Sequence, residues 1–135
     1  MRVFLIAAPL FISFSSFSSD VINDYGEYVL SGRLTDGDTH KPGAIPGGIS
    51  LGGGYPGLLL DAPLNVNPVF SGDLKNYSIP QNGYLNHIQL DLYNEGNSKY
   101  YKVNYGKHVR IRCNIDFVGR YYTPVYCEPL KMNIL

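Results

Sequence analysis

Tryptophan is missing from this chain of 135 residues, and the usual marks of a catalytic or metal centre are missing with it. Only two cysteines and three histidines occur. His40, His87 and His108 are scattered, so no metal-ligand cluster forms in the sequence. There is no H-E-x-x-H and no G-x-x-x-x-G-K-[ST], which removes the signatures of zinc peptidases and phosphate-binding loops. Gly52-Gly53-Gly54-Tyr55-Pro56-Gly57 fits G-x-G-x-x-G formally, but Pro56 and the lack of a following helical pattern deny it the strand–turn–helix setting a dinucleotide needs. Charge is sparse, at 16%, and balanced at zero net. That balance excludes nucleic acid as the expected partner. No apolar run reaches the ~20 residues of a membrane-spanning helix.

What is present begins with an export pattern. Arg2 is followed by the almost wholly apolar Val3–Phe14 and by the Ser-rich 13–19. A positive start, a short apolar run and a small-residue exit read as a signal peptide over residues 1–18. Residues 19–135 then form one domain, periplasmic or secreted, with no membrane span after cleavage. No cysteine follows the apolar run, so a lipoprotein anchor is not expected. Four of the six phenylalanines fall in the leader, and the twelve tyrosines carry the aromatic content of the rest. Cys113 and Cys127, in an exported chain, read as a disulfide.

Alternation dominates the chain beyond the leader. Tyr28, Leu30, Gly32 and Leu34 alternate with Val29, Ser31 and Arg33, a first strand closed by a turn at 35–38, with Gly32 marking a bend or bulge. Asp36 and Asp38 are read as turn chemistry. With Asp24 and Glu27 they lack the spacing of a calcium loop. Residues 42–57 hold seven glycines and three prolines and predict a long loop. Residues 58–62 predict a strand, and 63–82 an irregular stretch with one extended piece at Val69–Phe70. Residues 87–93 alternate again, with Ile88, Leu90 and Leu92 inward and His87, Gln89 and Asp91 outward. Residues 98–105 predict one or two helical turns, Tyr101 and Tyr105 lying four apart. Residues 108–117 turn Val109, Ile111, Cys113, Ile115 and Phe117 inward and His108, Arg110, Arg112, Asn114 and Asp116 outward. His87 and His108 are thus expected in solvent. A hairpin centred on Arg120 sets Cys113 opposite Cys127, Ile115 opposite Val125 and Lys131 opposite Val109. Pro124 asks for an edge or a bulge. The fold expected is all-β: a small OB-like, partly open barrel of four or five antiparallel strands with at most one short helix. A small β-sandwich is the alternative.

The stretch Gly106-Lys107-His108-Val109-Arg110-Ile111-Arg112-Cys113, followed by Tyr122-Thr123-Pro124-Val125-Tyr126-Cys127, resembles the C-terminal signature of an exported bacterial family. That family is catalogued as domain of unknown function forty-four thirty-one. Leu30-Ser31-Gly32-Arg33-Leu34 and Leu58-Leu59-Leu60-Asp61-Ala62-Pro63 resemble its first strands. The resemblance implies an exported OB-like domain and brings no activity. Where the family carries a His-rich turn, this chain has Val118-Gly119-Arg120-Tyr121-Tyr122.

Charge is distributed unevenly. Residues 20–95 hold nine acids and three Lys/Arg, and residues 99–120 hold six Lys/Arg and one acid. Lys107, Arg110, Arg112 and Arg120, with Tyr121, Tyr122 and Tyr126, form the candidate binding set, because Arg and Tyr add contact area and directed hydrogen bonds. The plain alternative is a solvated strand face whose charges deter edge pairing. The expected function is a non-enzymatic, exported binding or interaction module for a protein or glycan partner, with no catalytic residue, cofactor or metal. Assembly into oligomers stays open. The other readings are a glycan-binding subunit of an oligomeric toxin, a small secreted hydrolase and a structural envelope component. Asn76-Tyr77-Ser78 is a sequon of use only in a eukaryote.

Overall fold

The computed structural model describes residues 20–39, 54–67, 83–117 and 122–135. The leader, most of the loop at 42–57, the piece at Val69–Phe70, the sequon and the turn at 118–121 lie outside the described residues. The elements are β1 (Asp20–Val21), β2 (Gly26–Gly37), β3 (Tyr55–Asn65), β4 (Tyr84–Leu90), α1 (Glu95–Val103), β5 (His108–Asp116) and β6 (Tyr126–Ile134). The sheet runs β3-β2-β5-β6-β4 and returns to β3, and β1 adds to β3. This is the expected all-β, partly open barrel of OB type: β1 aside, three strands, a helix and two strands. The pairings are antiparallel except β1 with β3 and β4 with β6, which are parallel.

The interior is filled by the residues whose alternation points inward. Leu30, Leu34, Leu58, Leu64, Ile88, Leu90, Val109, Ile111 and Ile115 are all buried. Each such aliphatic side chain contributes roughly 1.5–3 kcal/mol. β2 is the spine of the barrel. Its first half pairs only with β5 and its second half with β3, and the two ladders overlap at Gly32 and Arg33. Neither ladder skips a residue there, so Gly32 marks a bend and not a bulge. A Cβ at Gly32 would stand 2.1 Å from the Leu59 carbonyl oxygen, so the strand can curl over β3 only with glycine at this position.

The helix starts three residues earlier than its tyrosine spacing implies. Asn94 is the N-cap, its side chain accepting from the Asn97 N–H at 3.1 Å, and Glu95 and Lys102 complement the helix dipole. Tyr101 packs its ring edge-on against Tyr105, centroids 5.7 Å apart, and Tyr101 is buried under the barrel. Gly106, at φ 84°, reverses the chain into β5.

Several expectations are corrected. Tyr55, Pro56 and Gly57 belong to β3 and not to the loop, since β2 and β4 extend far enough to pair with this segment. Residues 35–37 continue β2 for the same reason. The strand placed at 87–93 lies at Tyr84–Leu90, and the chain leaves it to cap α1. Phe117 ends beyond β5 and is exposed. In the hairpin, Cys113 faces Pro129, Ile115 faces Cys127, Val109 faces Ile134 and Lys131 faces Arg112. β6 starts later than alternation alone implies, since 122–125 is not strand, and it carries a bulge opposite Arg112/Cys113. A slip of two residues preserves faces. Both cysteines therefore stay inward and bond across the diagonal, Cα atoms 5.1 Å apart. Pro124 is buried ahead of β6, and it is Pro129 that sits at the bulge.

Unfolding measurements should register both the bend and the disulfide. Gly32→Ala should lower the unfolding free energy by about 2 kcal/mol or more, because the Leu59 backbone cannot yield as a side chain would; urea titration measures it. Replacing both cysteines by alanine should cost about 3 kcal/mol, the chain-entropy value for a loop of this length, read from the same titration.

Candidate functional site

The outer surface of the barrel divides into two flanks of opposite character. On the first, β5 lies between β2 and β6 and turns Arg110 and Arg112 to solvent. Arg112 stands directly between Val29 and Lys131, and Arg110 between Ser31 and Asn133. Val29 is 57% exposed, an apolar residue among cations. Arg112 reaches Glu27 at 3.8 Å with both side chains more than half exposed, a contact worth little in water. At one end Arg33 donates to the Gly106 carbonyl at 3.3 Å, and His108 meets Asp61 at 2.6 Å. Lys107 is exposed in the link before β5. Asn114 donates weakly to Glu128, at 3.4 Å, near the other end.

The second flank is closed. His87 shares its face with Gln89, as alternation requires, yet its exposure is 0%. The expected solvated histidine is thus corrected to a buried one, because other segments fold over this face. Its ring lies over Gly57, where a Cβ would come within 2.1 Å of it. The Thr35 carbonyl, 2.8 Å from Nε2, can only accept. Nε2 therefore carries the hydrogen, and Nδ1 accepts from the Tyr55 hydroxyl at 3.0 Å. Tyr55 packs edge-on to His87, and Tyr122 stacks on Tyr55 at 5.3 Å. Tyr122 is pinned by its N–H to Gln89 Oε1 at 2.7 Å, and Thr123 Oγ1 accepts from the Gln89 N–H at 3.1 Å. Burial holds the His87 imidazole down, to about 4, although the Thr35 carbonyl and the Asp36 carboxylate favour its charged form.

Asp36, read as a turn residue, is only 2% exposed. It accepts from the Tyr101 hydroxyl at 2.5 Å, which in turn accepts from the Gly57 N–H at 3.3 Å. Burial, and then the Asp36 carboxylate, push the Tyr101 phenol well up. The Tyr105 hydroxyl accepts from the Asp36 N–H at 3.1 Å. These groups tie α1 to the end of β2. They are satisfied structural polar groups, not an exposed reacting set.

The expected site residues are therefore separated. Arg110 and Arg112 share the cationic flank, with Lys107 at its end. Tyr126 is half-buried at the head of β6, opposite Asp116. Tyr122 belongs to the cover over His87. Arg120 and Tyr121 lie outside the described residues. Sequence reasoning missed Lys131, Val29 and Arg33, since only the β2–β5–β6 register brings them beside the two arginines. An open groove of about 550 Å³ lies beyond the other side of β6, lined by Asp91, Tyr93, Asn97, Glu128 and Leu130 among others. Among the described residues no cluster of His, Cys, Asp and Glu could hold a metal ion, and no helix is long and apolar enough to cross a membrane. The buried disulfide fits an oxidising compartment.

His87 makes stability pH-dependent with a definite sign. Its folded pKa lies below the unfolded value of 6.5, so between the two the unfolded chain binds more protons. Its contribution is fully present above pH 6.5 and is lost as pH falls toward 4, by on the order of 3 kcal/mol. Urea midpoints at pH 7 and pH 4.5 should show this loss, and His87→Gln should flatten that part of the slope.

Compared with family models, curated proteins and solved structures, the chain gives no match, so its site is read from its own geometry.

Proposed function

We propose that this protein is an exported, non-enzymatic binding module of the periplasm or the exterior. It uses the β2–β5–β6 flank to hold an anionic or hydroxyl-rich partner. The observation that carries this reading is the placement of Arg112 directly opposite Lys131, with Arg110 one step along the same face. Like charges facing each other across a ladder cost stability. Among the described residues the only carboxylate in ion-pair contact with these three cations is Glu27, at 3.8 Å and in solvent. Fold stability gains nothing from such an arrangement, whereas an anionic partner would be held by it. The exposed Val29 beside Arg112 adds apolar contact at the centre of the patch. The leader-like residues 1–18 and the disulfide support the compartment.

Surface plasmon resonance on immobilised polyglutamate and on a sialylated glycan tests the reading. The wild-type protein should be retained on at least one surface, less strongly as salt rises. The double variant Arg110→Ser, Arg112→Ser should lose at least tenfold in affinity with a thermal midpoint no lower than that of the wild type. No retention of the wild type on either surface, or equal retention of the variant, would reject it.

A further inference from the structure

The barrel is open where β6 leaves β4. These strands pair only at Gln89–Tyr126 and Leu90–Cys127, while β6 continues along β5 to Ile134. The upstream part of the open edge is already shut. The Cys127 carbonyl accepts from the Asp91 N–H at 2.8 Å, and the Pro129 carbonyl from Asn97 Nδ2 at 3.0 Å. Pro129 itself has no N–H to offer.

Downstream of the bulge the edge is different. The Leu135 N–H donates to the His108 carbonyl at 2.9 Å, which makes these two a hydrogen-bonded pair. Antiparallel ladders alternate such pairs with non-bonded ones. Asn133–Arg110 and Lys131–Arg112 are then bonded pairs, and Met132–Ile111 and Ile134–Val109 are not. Met132 and Ile134 therefore turn both backbone groups away from β5. Among the described residues no strand pairs with them on that side. Two donors and two acceptors, repeating at about 6.8 Å, are thus presented at a strand edge.

The side chains beside that edge have one sign on the outer face. A strand laid against β6 would place its outward residues about 4.8 Å beyond Lys131 and Asn133, extending the rows Val29–Arg112–Lys131 and Ser31–Arg110–Asn133. An acidic residue next to Lys131 would relieve the Arg112–Lys131 repulsion. A second, two residues along, would lie beside Asn133 in the row of Arg110.

We propose that the β6 edge at Met132–Ile134 receives an extended segment of a protein partner, which adds to the sheet through its main chain and carries acidic side chains at alternate positions. The proposal rests on the cationic-flank reading and narrows its partner to a polypeptide, because backbone groups at strand spacing recognise main chain and not sugar.

The test uses the peptide Thr-Glu-Val-Glu-Val-Glu-Thr, labelled for fluorescence anisotropy, and amide hydrogen exchange by NMR on the disulfide-bonded protein. The Met132 and Ile134 amides should exchange at least tenfold more slowly with peptide bound. Lys131→Glu should weaken binding at least tenfold. Ile134→Pro removes one outward donor without removing a bond to β5 and should also weaken it at least tenfold. The same peptide N-methylated at alternate residues should not bind, an outcome that requires no variant to fold. Unprotected Met132 and Ile134 amides, or equal binding of the N-methylated peptide, would overturn strand addition. If the peptide then still lost affinity for the Arg110→Ser, Arg112→Ser variant, the cationic flank would stand and only the edge would fall. Absence of peptide binding to the wild type would overturn strand addition, leaving the flank to be judged on polyglutamate and glycan.

Discussion

Closure of β4 onto β6 is the constraint around which the molecule is arranged. Only two residue pairs make the seam, yet each is tied on both sides. Leu90 is buried and its partner Cys127 is bonded to Cys113. The next residue, Asp91, donates its N–H to the Cys127 carbonyl. Gln89 holds the 122–123 segment by its backbone and its side chain. A parallel seam this short would contribute little alone. The disulfide and the Gln89 contacts give it support that the antiparallel ladders do not need.

The two flanks arise from how this seam is made. Holding 122–123 against Gln89 lays Tyr122 on Tyr55 and seals His87 beneath them. That side of the barrel is therefore finished, its polar groups paired internally. β6 then runs on past the seam with β5 as its strand neighbour, so one face of the β5–β6 hairpin stays exposed and, among the described residues, one edge of β6 has no strand partner. Cations cluster on the face, and backbone groups that no described strand pairs with line the edge. The proposed recognition surface thus lies where closure stops.

Legibility of these features in the chain depended on the range of the interaction. Alternation in 28–34 and 108–115 assigned inward and outward correctly, because a barrel wall has one dry side and period-two patterning records it. The same patterning put His87 on the outer face, which is right for parity and wrong for exposure. A strand residue cannot indicate that a segment more than thirty positions away will fold over it. Asp36 looked like a turn for a related reason: Asp-Gly-Asp is ordinary turn chemistry, and the Tyr101 hydroxyl that meets its buried carboxylate arrives from α1, far along the chain. The hairpin register slipped by two residues at Cys113 and by three beyond the Pro129 bulge, because where β6 starts and where it bulges depend on packing against β4 and α1.

The amino-acid order by itself determined the barrel class, the strand faces, the pairing of Cys113 with Cys127 and the outward direction of Arg110 and Arg112. All of these are set by local periodicity or by the presence of just two thiols. Tertiary structure decided which outward residues see water, which cation stands opposite which, and where an edge is left open. Those depend on ladder register and on the cover of one segment by another. A register is fixed by the summed packing of distant strands, which no single stretch of sequence contains.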